Sequence, residues 1–393
     1  MLRTASRLDQ IEPFYVMECA KAASELARSP ACAERPMIFL NIGEPDFTAA
    51  PLVREAAERA LREGRTQYTE ATGLAPLREC IAGWYAQRFG LAIDPARIVV
   101  TAGASAALQL ACLALVERGD EVLMPDPSYP CNRHFVAAAD GVPVLLPSGP
   151  DQRFQLDAAG VEAAWGPRTR GVLLASPSNP TGTSIDPAEM GRIVQAVRAR
   201  GGFTIVDEIY LGLSYDERYG TSALAHGEDV ISINSFSKYF SMTGWRLGWM
   251  VVPTSLVPAI EKLAQNLFIC ASTLAQRAAL ACFEPESIAE YERRRAEFKA
   301  RRDLVVPALE AMRLHVPVVP DGAFYAWADC SAHAASSWDF VFDVMRRAHV
   351  ALTPGRDLGR HGAERWVRLS YANSMAQLEE ALERLRRTLA TPA

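Results

Sequence analysis

Lys238 stands between Phe236 and the pair Tyr239 and Phe240, inside the string SFSKYFSMTGWRLG that spans residues 235–248. A lysine crowded by aromatic rings loses hydration, and desolvation lowers the pKa of an ammonium group. The neutral amine that results is a nucleophile able to form a Schiff base with a carbonyl. Ser235 and Ser237 flank the lysine and Arg246 follows eight positions later. Hydroxyls and a guanidinium together suit a phosphate. A bare S-x-S-K also fits a surface loop with an exposed lysine. Asp207 closes the apolar run 203–206, and an acid at the end of a buried strand needs a partner to offset its desolvation. A cationic ring nitrogen, a salt bridge or a helix N-cap each answers that need. Arg368 lies between Val367 and Leu369. A guanidinium there can grip a carboxylate through two hydrogen bonds, or simply mark an exposed sheet edge.

These side chains have to be placed by the elements around them. Apolar, β-branched runs at 98–101, 121–124, 171–175, 203–206 and 230–233 read as strands, and 171–175 (GVLLA) is apolar throughout, as a strand covered on both faces requires. Helical patterns at 51–64, 74–89, 186–200 and from Ala104 onward alternate with them. The pattern predicts an α/β fold with a mostly parallel central sheet and helices on both faces. Its candidate residues fall on loops after strand ends, where open α/β sheets bind ligands. Gly103-Ala104-Ser105 joins a strand to a helix N-terminus, whose free N–H groups offer an anion site or form an ordinary turn. Pro127 and Pro130 bracket Tyr129 and predict a rigid, non-helical loop.

The last third reads differently. A helical pattern over 285–312 is followed by strand-like runs at 323–328, 351–354 and 366–371, with helices between and after. This order predicts a smaller α+β unit. The division expected is residues 46–285 for the large unit, and 1–45 with 286–393 for the small one.

Composition narrows the functional classes. The 393 residues are 49% hydrophobic and 22% charged, with a net charge of −5, so nothing points to a nucleic-acid partner. Eight cysteines include no C-x-x-C pair and the six histidines form no ligand-spaced cluster, so no metal site is expected. No apolar leader or membrane-length apolar stretch is present, and a cytoplasmic enzyme is expected.

Taken whole, the 235–248 string resembles the lysine signature of the class I/II aminotransferases, a branch of the fold-type-I enzymes that use pyridoxal 5′-phosphate. The resemblance covers essentially the whole chain and its motifs occur in the family's order. It implies that Lys238 carries the cofactor, that Ser235 and Arg246 hold its phosphate, and that Ala104 and Ser105 cradle the same group; the flanking hydroxyl of Ser237 is a further cofactor-binding candidate. It further implies Tyr129 stacked on the pyridine ring, Asp207 at the ring nitrogen, and Asn179 and Tyr210 at the 3-oxygen. The R-L-S-x-A strand implies that Arg368 grips the substrate α-carboxylate, with Asn179 and the Gly43 backbone nearby. Tyr68, in the Y-T-x-x-x-G motif, is implied to cross a homodimer interface to the neighbouring site.

The function so implied is transfer of an amino group between an L-amino acid and a 2-oxo acid, with aspartate, alanine or aromatic donors expected. A lyase on the same fold would share nearly every residue named. A cofactor-binding regulator would carry an added DNA-binding module, and no basic helix-turn-helix precedes residue 37. The 354–359 loop departs from the family's P-G-x-x-F-G pattern in having Leu358 for Phe. Arg133 and Arg356 are each a candidate to read a second carboxylate, or a surface arginine.

Overall fold

The computed structural model describes residues 2–13 and 15–390; residues 1, 14 and 391–393 of the expected small unit lie outside them. In chain order the strands are β1 (Ile38–Phe39), β2 (Ile98–Thr101), β3 (Glu121–Asp126), β4 (Val142–Pro147), β5 (Thr169–Ala175), β6 (Phe203–Asp207), β7 (Val230–Ser235), β8 (Gly248–Val251), β9 (Tyr325–Asp329), β10 (Val350–Ala351), β11 (Thr353–Pro354) and β12 (Trp366–Ser370). Seven of them form the central sheet in the order β2-β8-β7-β6-β5-β3-β4. Only β8 breaks the parallel direction, running antiparallel to both β2 and β7.

Alternate residues of the central strands feed two separate cores, which is why these strands are apolar on both faces. Leu173, Ile205 and Ile231 pack with Leu108 and Ala111 of the helix Ala104–Leu115. Val172, Leu174, Val206 and Val230 pack on the other side with Ile193 and Val197 of the helix Pro187–Arg198. Strand β4 is absent from the sequence expectations. Its run VPVLLP carries two prolines and is half-exposed, and it is tolerated because it lies at the edge of the sheet.

The C-terminal region builds a three-stranded antiparallel sheet, β11-β12-β9. The run expected as one strand at 351–354 is two. Val350–Ala351 pairs parallel with β1, and after Leu352 the chain moves across so that Thr353–Pro354 pairs with β12. Residues 38–39 of the N-terminal segment are thereby tied to the C-terminal part. The helix Pro285–Ala311 carries Phe298, Val305 and Leu309 into a core that also holds Trp84, Trp249, Tyr325 and Leu385. The helices outside the sequence expectations include Tyr15–Ala27 and Val257–Leu267. The first buries mainly small residues, Val16, Cys19 and Ala23, so its apolar stripe is faint in the sequence. Among the described residues no helix is long and apolar enough to cross a membrane.

Candidate active site

The carboxyl ends of β5, β6 and β7 and the start of the helix Ala104–Leu115 surround a cavity of about 380 Å³. Lys238 reaches into it from the loop after β7. Its Nζ donates to the Gly43 carbonyl at 2.6 Å and stands 5.7 Å from the Tyr210 ring and 5.8 Å from the Phe324 ring. Loss of bulk water pushes its pKa down to about 8, against an upward pull from Glu44, while Arg368 and Arg246 push the same way as burial. The aromatic neighbours in sequence are not the source of that desolvation. Phe236 packs on Trp249 at 4.9 Å, Phe240 on Phe283 at 5.5 Å and Tyr239 on Tyr291 at 5.4 Å, all within the core. Those three rings anchor the loop; Tyr210 and Phe324 surround the amine.

Asp207 is the last residue of β6 and is 4% exposed. Its carboxylate accepts a hydrogen bond from Ile209 N at 3.1 Å, and burial pushes its pKa up to about 7. Glu208, next to it, is turned away and fully served by Ser222 Oγ at 2.8 Å, Ser232 Oγ at 2.5 Å and Ala223 N at 2.7 Å. Of two adjacent buried acids, only Asp207 lines the cavity and lacks a compensating set of donors. A cationic group placed in the cavity would stabilise it.

An anion cradle lies at the other end. Gly103 has φ +84°, and a Cβ there would lie 2.6 Å from Arg246 Nη2; one on Gly248 would lie 2.8 Å from Ala104 N. These two glycines let the helix start directly against the Arg246 guanidinium. Ala104, Ser105, Ser235, Ser237 and Arg246 all line the cavity. Ser235 Oγ receives the Ser237 N–H at 2.9 Å, and Arg246 Nη1 is held by the Thr243 carbonyl at 3.0 Å. Unpaired N–H groups of a first helical turn beside a guanidinium suit a phosphate.

Arg368 lies on β12, the central strand of its sheet, and is 3% exposed, so it is not an edge residue. It donates to Asn179 Oδ1 at 2.8 Å, the Asn41 carbonyl at 2.8 Å and Thr353 Oγ1 at 3.3 Å. All three acceptors are neutral, and Nε has no hydrogen-bond partner among the described residues. A buried guanidinium so placed is suited to a carboxylate ligand.

Gly43, Asn179, Tyr129 and Tyr210 also line the cavity. Gly43 must lack a side chain, because a Cβ there would lie 2.3 Å from the Tyr325 hydroxyl. Tyr129 is not in a wholly non-helical loop: Pro130 opens the helix Pro130–Ala138 and Tyr129 is its N-cap, since a proline's missing N–H costs nothing in a first turn. Tyr68 does not reach this cavity and is 78% exposed.

Neither candidate for a second carboxylate reaches it either. Arg133 is buried against Glu12 at 3.3 Å and the Asp357 carbonyl at 3.3 Å, and Arg356 lies over Tyr15 at 4.6 Å. Leu358 packs with Phe154 and Trp327 away from the cavity.

Several lining residues escaped the sequence reading. Tyr325 follows a Gly-Ala-Phe run that reads as any core strand. Val16, Met17 and Ala20 come from the helix Tyr15–Ala27, whose start is held by a 2.7 Å hydrogen bond from Val16 N to the Asp357 carboxylate.

A buried acid in want of a cation, an anion cradle on the neighbouring strand and a desolvated amine between them suit one rigid ligand bearing a ring nitrogen, a phosphate and an aldehyde. Sheets of this kind with such a site are those of the fold-type-I pyridoxal-phosphate enzymes. The chain belongs to the class I and II aminotransferases, whose family description matches residues 35–385. It is 38% identical over 376 residues to a valine–pyruvate aminotransferase of Mycobacterium tuberculosis, covering 95% of this chain and 96% of the relative. It is 34% identical over 355 residues to an aspartate aminotransferase of Pyrococcus horikoshii, covering 90% of each.

Among solved structures, an aminotransferase from Mycobacterium tuberculosis superposes with a TM-score of 0.95 at 38% identity, over 99% of this chain and 100% of that one. The aspartate aminotransferase of Thermus thermophilus with maleate gives 0.91 at 32% identity, over 99% and 100%. The chain is therefore a transaminase, and enzymes of its family use pyridoxal 5′-phosphate.

Proposed function

We propose that this transaminase exchanges the amino group between an L-amino acid with a neutral, apolar side chain and a 2-oxo acid, as a homodimer in which Tyr68 reaches the neighbouring site. One observation carries the substrate reading. Among the described residues the cations lining the cavity are Lys238, Arg246 and Arg368, while Val16, Met17, Ala20 and Ile42 supply apolar surface. Ile42 adjoins the Asn41 carbonyl that Arg368 holds. Of the donors expected from the sequence, alanine and the aromatic amino acids suit this lining. Aspartate needs a second cation, and Arg133 and Arg356 are engaged elsewhere in the chain. The likeness to a valine–pyruvate aminotransferase supports the same reading.

Ala104, Ser105, Ser235, Ser237 and Arg246 would hold the cofactor phosphate, Asp207 the ring nitrogen, Asn179 and Tyr210 the 3-oxygen, and Tyr129 the ring face. When bound, pyridoxal phosphate supplies an electron-withdrawing ring that spreads the charge left at the substrate α-carbon. Lys238 would hold the cofactor through its amine and, as a free amine, would move a proton between the substrate α-carbon and the cofactor's C4′. An amine pKa brought down toward the working pH suits both duties. Arg368 fixes the α-carboxylate, and with it the direction in which the α-proton points toward Lys238. In the division expected at 46–285, the cofactor residues sit on the large unit and Arg368 on the small one.

The test is product analysis with a panel of donors. Stoichiometric exchange of valine, alanine or phenylalanine with an oxo acid is expected, with aspartate slower. Ammonia release without an acceptor would favour a lyase, and aspartate as the fastest donor would sink the apolar reading. Borohydride fixation of the cofactor should label a single peptide, the one that contains Lys238.

A further inference from the structure

Tyr325 belongs to β9 and is 1% exposed, yet it touches three parts of the site that come from three other segments. In the antiparallel pairing of β9 with β12, Ser370 lies opposite Tyr325 and Arg368 opposite Trp327. Tyr325 is therefore the diagonal neighbour of Arg368 on one face of the sheet, a spacing that long and aromatic side chains bridge. The Arg368 guanidinium lies 4.6 Å from the Tyr325 ring centroid. The Tyr325 hydroxyl is 2.7 Å from the hydroxyl of Tyr210, which comes from the loop after β6. It also fills the space that a side chain on Gly43 would need, and the Gly43 carbonyl is the acceptor of Lys238 Nζ.

We propose that Tyr325 is a positioning residue with two separable duties: its ring holds the Arg368 guanidinium in place for the substrate carboxylate, and its hydroxyl sets the direction of the Tyr210 O–H. The ring face offers a guanidinium an attractive surface that competes with none of its hydrogen bonds, so the five N–H donors stay directed at Asn179, Asn41, Thr353 and the ligand. Two hydroxyls at hydrogen-bond distance share one proton between them. With Tyr325 as donor, the Tyr210 proton is released to point at another acceptor, and Tyr210 becomes the stronger donor for it. The inference rests on the roles given above to Arg368 and Tyr210.

Two variants separate the duties. Tyr325→Phe keeps the ring and loses the hydroxyl, whereas Tyr325→Leu loses both. The first measurement is the pH midpoint of the absorbance change of the cofactor-loaded enzyme, and the second is the Kd of isovalerate, a carboxylate with no amine to react, by calorimetry. Tyr325→Phe is expected to raise the midpoint by roughly half a pH unit, the size of one modest hydrogen bond, and to leave isovalerate binding within about twofold. Tyr325→Leu is expected to raise the midpoint similarly and to weaken isovalerate about tenfold. A midpoint unchanged in Tyr325→Phe would overturn the hydroxyl's duty, and isovalerate binding unchanged in Tyr325→Leu would overturn the ring's. Isovalerate binding that survives Arg368→Ala in the wild-type background would instead sink the role of Arg368, and the inference with it.

Discussion

The wall of the cavity that carries Asp207, Ser235 and Lys238 and the wall that carries Arg368 meet at one site but are built by different means. The first comes from adjoining ends of β6 and β7, held in register by Asp207 opposite Ile233 and by Ser235 opposite Gly248 of β8. Sheet hydrogen bonds and two packed cores make it rigid. The second is gathered from the helix Tyr15–Ala27, residues 41–43, β9 and β12, and rests on single links such as Val16 N to Asp357 and Arg368 to the Asn41 carbonyl. A wall of the first kind preserves one chemistry. One of the second kind can change its side chains, and hence its substrate, without disturbing that chemistry.

The sharpest way to break this contrast is at the amine. Lys238→Ala should lower kcat by at least about 10³-fold while leaving the melting temperature nearly unchanged, since proton transfer by a positioned base contributes on that scale. A loss below about tenfold would place the base elsewhere. On the opposite wall, Arg368→Ala should lower kcat/KM by about 10²–10³-fold, mostly through KM, because it removes a buried charge-assisted grip. Steady-state kinetics with one good donor decides it.

Asp207 offers a test of the rigid wall without turnover. Its folded pKa of about 7 lies above the usual carboxylate value, so its contribution to stability is present at low pH and lost as pH rises toward and through 7. Asp207→Asn should therefore make the cofactor-free protein more stable at pH 8, on the order of 2–4 kcal/mol, and change little at pH 4. Denaturant melts at the two pH values check the sign. A variant less stable than wild type at pH 8 would show that Asp207 is paired in the resting protein.

Smaller effects belong to the assembled wall. Met17→Arg should cut kcat/KM for valine by about tenfold and improve aspartate relative to valine, as loss of apolar contact in a pocket is worth about 1–3 kcal/mol. Arg356→Ala, outside the cavity, should change kcat/KM for any donor by no more than about twofold. A larger loss confined to aspartate would return Arg356 to substrate recognition.

What was legible in the sequence follows the same divide. The acid that ends β6, the lysine and serines after β7, and the helix start at Ala104 are local features. A strand end, a short loop and a helix N-terminus are written in adjacent residues, and chain connectivity alone delivers those side chains to one edge of a parallel sheet. The faint stripe of the helix Tyr15–Ala27 and the proline-bearing β4 were not legible, because small residues and an edge position weaken the periodic signal. That Arg368 is central rather than on an edge depends on β11, two residues whose pairing no local pattern announces. Tyr325 reads as core until β9 and β12 are brought into register. By itself the sequence determined the chemistry, through residues that lie beside one another along the chain. The tertiary structure alone decided which apolar residues meet Arg368, that Arg133 is already paired, and that one tyrosine joins the two walls, because those contacts arise only when distant segments pack.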